Sequence, residues 1–214
     1  GSFDNHFNTI GLVGMHECCL NFLGAGIDAD EGRGFALEVL AHMRGRLEEW
    51  QVRSGELFNL EATPAESTSY RLARHDRGRW PDIVASGGEG EPYYTNSTQL
   101  PVGHTEDLFD ALDHQEELQA SYTGGTVFHA FLGEAPEDWR AVRELVRTIA
   151  SNYRIPYYTI SPTFSVCPVH GYLAGEQWHC PKCKAEEEAR IRDEIRRLEA
   201  GLEAELAAEP AASK

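Results

Sequence analysis

The sequence has 214 residues, of which 41% are hydrophobic and 25% are charged, and its formal net charge is −16. This composition is typical of a soluble globular protein, and without a run of about 18 apolar residues no membrane span is expected. The acidic balance opposes binding to phosphate backbones, so we predict no DNA or RNA partner. Three of the five cysteines are bunched, and no signal-like leader opens the sequence, which favours a reducing cytoplasm over secretion.

Apolar strands alternate with amphipathic helices along most of the chain. Short apolar runs predict strands at residues 9–14, 57–66 (broken by Pro64), 124–133 and 156–161. Apolar residues at helical spacing predict helices at residues 15–24, about 34–53, a short stretch toward 74, 105–122 and 136–153. Gly24 is predicted to end the first helix and Thr105 to be the N-cap of the fourth. This alternation indicates an α/β layer or barrel.

The tail from Lys184 onward differs from the rest of the chain. It is predicted to be a charged helix with apolar residues at spacings of four, three and four, namely Ile191, Ile195, Leu198 and Leu202. Such a narrow apolar seam suits packing against a partner helix. The alternative is a solvated helix that rests on its own domain, because two heptads are too short to be stable alone.

Residues 164–183 read FSVCPVHGYLAGEQWHCPKC and contain three cysteines and two histidines. Two tight turns, Cys167-x2-His170 and Cys180-x2-Cys183, would each present two ligands to one ion. Thiolate and imidazole suit zinc, and four protein ligands leave no open position, which predicts a structural site. His179 is a rival ligand, but it adjoins Cys180. Buried free thiols with a chance histidine are the alternative interpretation.

Two short segments are candidates for binding a substrate phosphate. Ser161, Thr163 and Ser165 follow a predicted strand, where α/β folds place ligands, and their hydroxyl and backbone N–H groups suit a phosphate. Gly124 and Gly125, in the stretch YTGGT, are a second candidate. In both segments a purely structural turn is the alternative.

Other polar residues carry weaker expectations. Cys18 and Cys19 are adjacent on a predicted helix, so their side chains diverge by about 100°, which favours buried helix cysteines over a redox pair. Glu61, at the end of a strand, is predicted to be a structural carboxylate or a group that faces a barrel lumen. Residues 95–98, TNST, either contact a ligand or hydrogen-bond within a loop. Three histidines are considered as polar core residues: His6, His16 and His129.

Four longer stretches carry a family resemblance. They read NHFNTIGLVGMHE, NLEATPAES, YYTNSTQLPVGHTEDLFDALDHQEELQASYTGGTVFH and PYYTISPTFSVCPVHGYLAGEQWHCPKC. Together and in this order they resemble the C-terminal part of the anaerobic (class III, oxygen-sensitive) ribonucleoside-triphosphate reductase, a glycyl-radical enzyme. The resemblance implies an α/β fold that is part of a ten-stranded barrel, with a small zinc knuckle and a C-terminal helix. The expected organisation is barrel residues 1–163, knuckle residues 164–184 and an acidic helical tail at 185–214.

The resemblance also implies a chemistry. In the family, an activase that uses S-adenosylmethionine and an iron–sulfur cluster installs a glycyl radical, which oxidises a cysteine to a thiyl radical. The thiyl takes the 3′ hydrogen of a ribonucleotide, the 2′-hydroxyl leaves as water, and formate or a thiol system supplies electrons. The family's zinc lies close to the radical glycine and is held by two Cys-x2-Cys pairs. Cys167, Cys180 and Cys183 match those ligands, and His170 stands where the second cysteine would be.

The chain departs from the family pattern in two respects. No Arg-Val-x-Gly-Tyr-like motif follows Cys183, and the family's thiyl cysteine lies upstream of the matched region. We therefore expect the chain to be inactive alone and to need the rest of the reductase, its radical S-adenosylmethionine activase and a ribonucleoside triphosphate. An open sheet edge predicts oligomers. The competing hypothesis is a non-catalytic, zinc-stabilised assembly or regulatory module whose acidic helix recruits a partner.

Overall fold

The computed structural model describes residues 3, 5–88, 90–101, 103–105, 107–132, 136, 138–162, 164–174 and 179–208. The strands of this part are β1 (Phe7–Leu12), β2 (Leu57–Ala62), β3 (Phe128–Leu132), β4 (Tyr158–Pro162), β5 (Phe164–Cys167) and β6 (Gly171–Ala174). Its helices are α1 (Met15–Leu23), α2 (Asp30–Ser54), α3 (Glu66–Arg79), α4 (Leu108–Ala120), α5 (Trp139–Asn152) and α6 (Pro181–Ala208).

The chain divides into two compact units. The first comprises Gly1–Ala130 with Trp139–Ile160, and the second comprises Phe131–Asp138 with Ser161–Lys214. Among the described residues, every helix is too short or too polar to cross a lipid bilayer.

The first unit is built around a parallel pair of strands. β1 pairs with β2 in register from Phe7↔Leu57 to Leu12↔Ala62. Parallel strands need a long crossover, and here α1 and α2 provide it. The crossover buries one apolar core, whose fully enclosed side chains include Met15, Ile27, Leu40, Leu60 and Leu118. Each such side chain contributes about 1.5–3 kcal/mol of transfer free energy. The α/β class predicted from the alternating pattern is confirmed.

A glycine turn connects β1 to α1. Gly14 has φ of 78°, in the left-handed region that glycine adopts without strain. Its N–H donates to the Thr95 carbonyl at 2.9 Å, and the Met15 N–H donates to the Ser97 carbonyl at 3.0 Å. The first N–H groups of α1 are therefore bonded to the loop at residues 95–97. At the other end, the prediction that Gly24 ends α1 is confirmed, since Gly24 is a left-handed C-cap.

Several predicted boundaries differ from the structure. α2 begins at Asp30, before the expected residue 34, because two acids stabilise its first turn. α3 continues to Arg79, beyond the expected end near residue 74. The prediction of Thr105 as an N-cap was wrong. Asp107 caps α4, since its Oδ1 accepts from the N–H groups of Phe109 at 2.8 Å and Asp110 at 3.3 Å. The Thr105 hydroxyl oxygen instead accepts from the Asp107 N–H at 3.0 Å.

A second apolar cluster joins α4, α5, β3 and the segment before β4. β3 and β4 form a two-stranded sheet. Helix α5 is strongly amphipathic, and its Ile149 is fully buried. The buried members of the cluster are Leu112, Phe128, Ala130, Ile149 and Ile155.

The second unit contains a hairpin and a long helix. β5 and β6 pair antiparallel, from Phe164↔Ala174 to Cys167↔Gly171. Helix α6 begins at Pro181, a favoured first position for proline. Cys183 therefore lies in the first turn of α6. The apolar residues Ile191 and Ile195 are 47% and 48% exposed on this helix, whereas the Leu198 and Leu202 side chains lie outside the described part of the chain.

Candidate metal centre

The β5–β6 hairpin positions the first two predicted ligands. Cys167 is the last residue of β5, and residues 168–170 form the turn that leads to β6. The backbone N–H groups of His170 and Val169 favour the thiolate form of Cys167. His170 Nδ1 lies 3.7 Å from the Cys167 sulfur, so the turn brings both ligand atoms to the same place. Both residues of this turn belong to the Cys/His cluster.

The start of α6 positions the other two ligands. Cys180 immediately precedes the helix, and its carbonyl accepts from the Lys184 N–H at 3.0 Å. The Cys183 N–H donates to the Cys180 sulfur at 3.5 Å. The Cys180–Cys183 turn therefore has the same spacing as the Cys167–His170 turn. The sulfur of its first cysteine accepts from the backbone N–H of its second. Both halves are short local structures that the Cys-x2-His and Cys-x2-Cys spacings specify.

The four ligand atoms converge on one point. His170 Nδ1 lies 3.3 Å from Cys183 Sγ, 3.4 Å from Cys180 Sγ and 3.7 Å from Cys167 Sγ. The sulfurs of Cys167 and Cys183 are 3.6 Å apart, and all four atoms lie within 4.8 Å of one another. A tetrahedral ion with Zn–S bonds of about 2.3 Å and Zn–N bonds of about 2.0–2.1 Å requires edges of about 3.8 and 3.5 Å. The donor set and its spacing fit such an ion.

The protonation equilibria of the cluster are strongly perturbed. The N–H groups of His170 and Val169 lower the pKa of the Cys167 thiol to about 6. The hydrogen bond that the His170 ring donates to the Glu186 carboxylate, followed by its contact with the Cys167 sulfur, raises the pKa of His170 to about 9. The neighbouring Cys167 sulfur, together with burial, raises the pKa of Cys183 to about 12. A divalent cation favours thiolates and neutral imidazole, so binding a metal here would release protons.

The cluster is closed. Three thiols and one imidazole offer four ligands, so a tetrahedral ion held by all four would have no open position for substrate or hydroxide. The rival ligand His179 is exposed and does not belong to the cluster. A bound ion would therefore have a structural role, because it would cross-link the hairpin to the first turn of α6.

The two serine candidates lie in the second unit. Ser161 is half-buried in β4, and Ser165 is half-buried in β5. Thr163 lies outside the described residues. The two serines are thus close in sequence to Cys167, the first ligand, with Ser165 on the same strand.

The glycine candidates lie in the first unit, against β2. The Gly124 N–H donates to the Leu60 carbonyl at 2.7 Å, and the Gly125 carbonyl accepts from the Ala62 N–H at 2.8 Å. A Cβ at Gly124 would lie 3.0 Å from the Leu60 oxygen and 3.1 Å from the Asn59 side chain. The close approach of the backbone to β2 accounts for glycine at position 124.

A buried carboxylate, which the sequence pattern does not reveal, organises the first unit. Glu17 on α1 is 1% exposed. It accepts from the Thr95 N–H at 2.9 Å, from the Thr95 hydroxyl at 2.7 Å and from the Ser86 hydroxyl. Thr95 belongs to TNST, whose members Ser97 and Thr98 also bond the buried Tyr122 hydroxyl, at 2.6 and 3.0 Å. This loop therefore hydrogen-bonds to α1 and to Tyr122.

The cysteine and histidine expectations were correct only in part. Cys19 is fully buried, and its Sγ–H donates to the Gly32 carbonyl at 3.5 Å. Cys18 is exposed, contrary to the prediction, because it faces an open groove of about 430 Å³. His16 is buried as considered, and its Nδ1 accepts from the Ile27 N–H at 3.3 Å. The other two histidines lie at the surface and are not core residues: His6 and His129.

The fold and the site define an α/β protein with a cluster of three cysteines and one histidine that could hold a metal ion. The sequence model described as "Anaerobic ribonucleoside-triphosphate reductase" matches residues 1–198. The chain belongs to this family, which confirms the resemblance found in the sequence.

Curated relatives and solved structures agree with this assignment. The anaerobic ribonucleoside-triphosphate reductase of Haemophilus influenzae is 25% identical over 191 residues, covering 86% of this chain and 26% of that protein. The enzyme of Enterobacteria phage T4 is 26% identical over 159 residues, covering 74% and 24%. The Thermotoga maritima anaerobic ribonucleotide reductase with MES in the active site matches with a TM-score of 0.61 and 28% identity, covering 83% of this chain and 29% of that one. The chain thus spans about a quarter of the length of its curated relatives.

Proposed function

We propose that the chain is the C-terminal, zinc-binding portion of an oxygen-sensitive ribonucleoside-triphosphate reductase, which makes deoxyribonucleotides by radical chemistry. The observation that carries the proposal is the family match over residues 1–198, which includes all four ligands of the metal cluster. The Thermotoga maritima relative has been crystallised in complex with dATP and CTP. That complex supports a ribonucleoside triphosphate as the substrate of the enzyme to which this chain contributes.

Each unit has a separate task in this proposal. The first unit supplies α/β layers of the substrate cavity, and the second holds the segment that bears the radical. Zinc, when bound, supplies folding energy and rigidity. The chain's own contribution is to place Cys167 and His170 on the hairpin, and Cys180 and Cys183 at the start of α6. The radical steps are assigned to the remainder of the reductase and its S-adenosylmethionine-dependent activase.

The β1–β2 sheet suggests where that remainder would join. Residues 123–125 already bond Leu60 and Ala62 on one side of β2, and β1 covers the other side. Within the described residues β1 has one sheet partner, so its far edge is the proposed site for a further strand. On size-exclusion chromatography the chain alone should therefore form oligomers, whereas a monodisperse monomer would contradict this assignment.

Two short segments of the chain are proposed to bind the phosphates of the substrate. We assign Ser161, Thr163 and Ser165 to a phosphate of the nucleotide, and Gly124 and Gly125 are a separate candidate for the same role. In an ¹⁵N NMR titration, CTP should shift these five amides. Cytidine without phosphates is the control and should leave them in place. Shifts that are confined to other residues would remove the assignment.

Metal analysis tests the zinc centre directly. The chain, purified under anaerobic reducing conditions, should contain one zinc per molecule by mass spectrometry. Cys180→Ala should lose it, because three ligands remain and the tetrahedron is open. The control is Cys18→Ala, which removes an exposed thiol outside the cluster and should keep the metal. Absence of stoichiometric zinc, or full retention in Cys180→Ala, refutes the proposal.

A second candidate is a non-catalytic module in which α6 recruits a partner. The exposed side chains of Ile191 and Ile195 on an otherwise charged helix favour it. The two functions predict different consequences of a chromosomal Cys180→Ala substitution. The reductase proposal predicts loss of anaerobic growth, rescued by added deoxyribonucleosides. Normal growth without oxygen would favour the module. In either case the 214 residues alone, supplied with activase and CTP, should yield no dCTP.

A further inference from the structure

We infer that Glu186 is a positioning residue for the metal centre, holding the ring of His170 so that Nδ1 faces the ion. This inference rests on the proposed zinc site. Glu186 Oε1 lies 3.0 Å from His170 Nε2, on the side of the ring opposite the three sulfurs. The His170 side chain is 15% exposed and the Glu186 side chain is 67% exposed, so the carboxylate reaches the ring from the solvent side.

The chemistry of imidazole makes this contact selective. A neutral histidine carries one N–H and one lone pair on its two ring nitrogens. A metal at Nδ1 needs the lone pair there, which places the proton on Nε2. An ionised carboxylate only accepts hydrogen bonds, so Glu186 stabilises the tautomer that can bind the metal. The same bond fixes the ring plane and increases the basicity of the coordinating nitrogen.

Helix geometry brings the carboxylate and a ligand to the same place. Glu186 follows Cys183 by three residues on α6, and residues three apart lie on the same helix face. The first turns of α6 therefore present a thiolate to the ion and a carboxylate to the histidine that binds it. The neighbouring acids differ: Glu187 accepts from Arg190 at 2.7 Å, and Glu188 is exposed.

Charge gives the contact a second role. A divalent ion with three thiolates and a neutral imidazole carries a formal charge of −1, whereas a fourth thiolate at position 170 would make it −2. Glu186 adds one negative charge beside His170 and returns the local total to −2. We therefore expect Glu186 to matter only when position 170 is histidine.

A double-mutant cycle tests this dependence. Zinc affinity of the 214-residue chain is measured by competition with a chromophoric chelator at pH 7, for the wild type, Glu186→Gln, His170→Cys and the double variant. Glu186→Gln should bind zinc about 10–100-fold more weakly than the wild type, the usual effect of removing such a partner. In the His170→Cys background the same substitution should change affinity less than about threefold. Glu188→Gln is the matched control and should bind as the wild type does.

The tautomer of His170 can be measured independently of zinc affinity. Long-range ¹H–¹⁵N NMR of the zinc-loaded wild type should show His170 protonated at Nε2 and coordinated through Nδ1. Coordination through Nε2, wild-type affinity in Glu186→Gln, or an equal loss in both backgrounds would overturn the inference while leaving the zinc site intact. A wild-type chain that binds no zinc would overturn the proposed function as well, so the two failures are distinguishable.

Discussion

Glu17 and Thr95 are joined by two hydrogen bonds across 78 residues of sequence, one from the Thr95 N–H and one from its hydroxyl. The carboxylate is buried, and the Ser86 hydroxyl donates a third bond. Removing a charge from water is costly unless donors replace the water. These three donors do so, and they fasten α1 to the loop that also bonds the N–H groups of Gly14 and Met15.

Substitution of Glu17 should therefore lower the stability of the first unit strongly, even when the new side chain has almost the same size. In Glu17→Gln the amide nitrogen would face donors, so at least one buried group loses its partner. We expect the free energy of unfolding to fall by about 2–3 kcal/mol. Urea denaturation followed by circular dichroism measures it. Glu48→Gln, at an exposed position of α2, is the control and should change stability by less than about 0.5 kcal/mol.

Gly124 and Gly45 should respond to alanine with opposite signs. A Cβ at Gly124 would meet the Leu60 carbonyl at 3.0 Å and the Asn59 side chain at 3.1 Å, so the segment must move away from β2. We expect Gly124→Ala to lower stability by about 1–3 kcal/mol. Gly45 lies inside α2 with open space around it, so Gly45→Ala should raise stability by about 0.5–1 kcal/mol. Thermal unfolding of the two variants checks this, and a stabilised Gly124→Ala would show that the contact with β2 is not tight.

Sequence motifs predicted the features that are formed by residues close together in the chain. The four residues of the Cys/His cluster could be predicted to lie together in pairs, because a tight turn brings a residue close to the third residue after it, as in Cys167 and His170. Gly24 could be identified as a helix end for the same reason. Glu17 could not be identified, because its partners are 69 and 78 residues away and no periodicity connects them. The prediction of Thr105 as the N-cap rested on residue type alone. The helix begins at the apolar residue Leu108, so the residue before it, Asp107, is the N-cap.

His114 should make the stability of the first unit depend on pH. Its Nε2–H donates to the Ile27 carbonyl at 2.9 Å, and its Nδ1 accepts from the Gln115 amide at 3.1 Å, so the neutral ring is fully bonded. Burial lowers the pKa of His114 below its ordinary value, and Arg33 acts in the same direction. As the pH falls below about 6.5, the unfolded chain takes up the proton first, so stability is lost.

Comparison of two variants isolates this effect. The slope of unfolding free energy against pH, measured between pH 7 and pH 5, should become shallower in His114→Gln. His75→Gln, whose side chain is 72% exposed in the native protein, should keep the wild-type slope. An unchanged slope in His114→Gln would mean that the folded and unfolded chains take up the His114 proton equally, which would contradict the prediction.

Metal removal should speed amide hydrogen exchange in the second unit and leave exchange in the first unit unchanged. A bound ion would cross-link the β5–β6 hairpin to the first turn of α6, and a two-stranded hairpin is only marginally stable without a partner. Amide hydrogen exchange should therefore accelerate in Phe164–Cys167, in Gly171–Ala174 and at the start of α6 when a zinc chelator is added. Exchange in β1 and β2 serves as the internal control and should stay unchanged, because their hydrogen bonds and the core around Leu60 lie in the other unit. Readdition of zinc should restore the slow exchange. Equal acceleration in both units would instead mean that the two unfold together, and an unchanged hairpin would mean that the thiol cluster holds its shape without a cation.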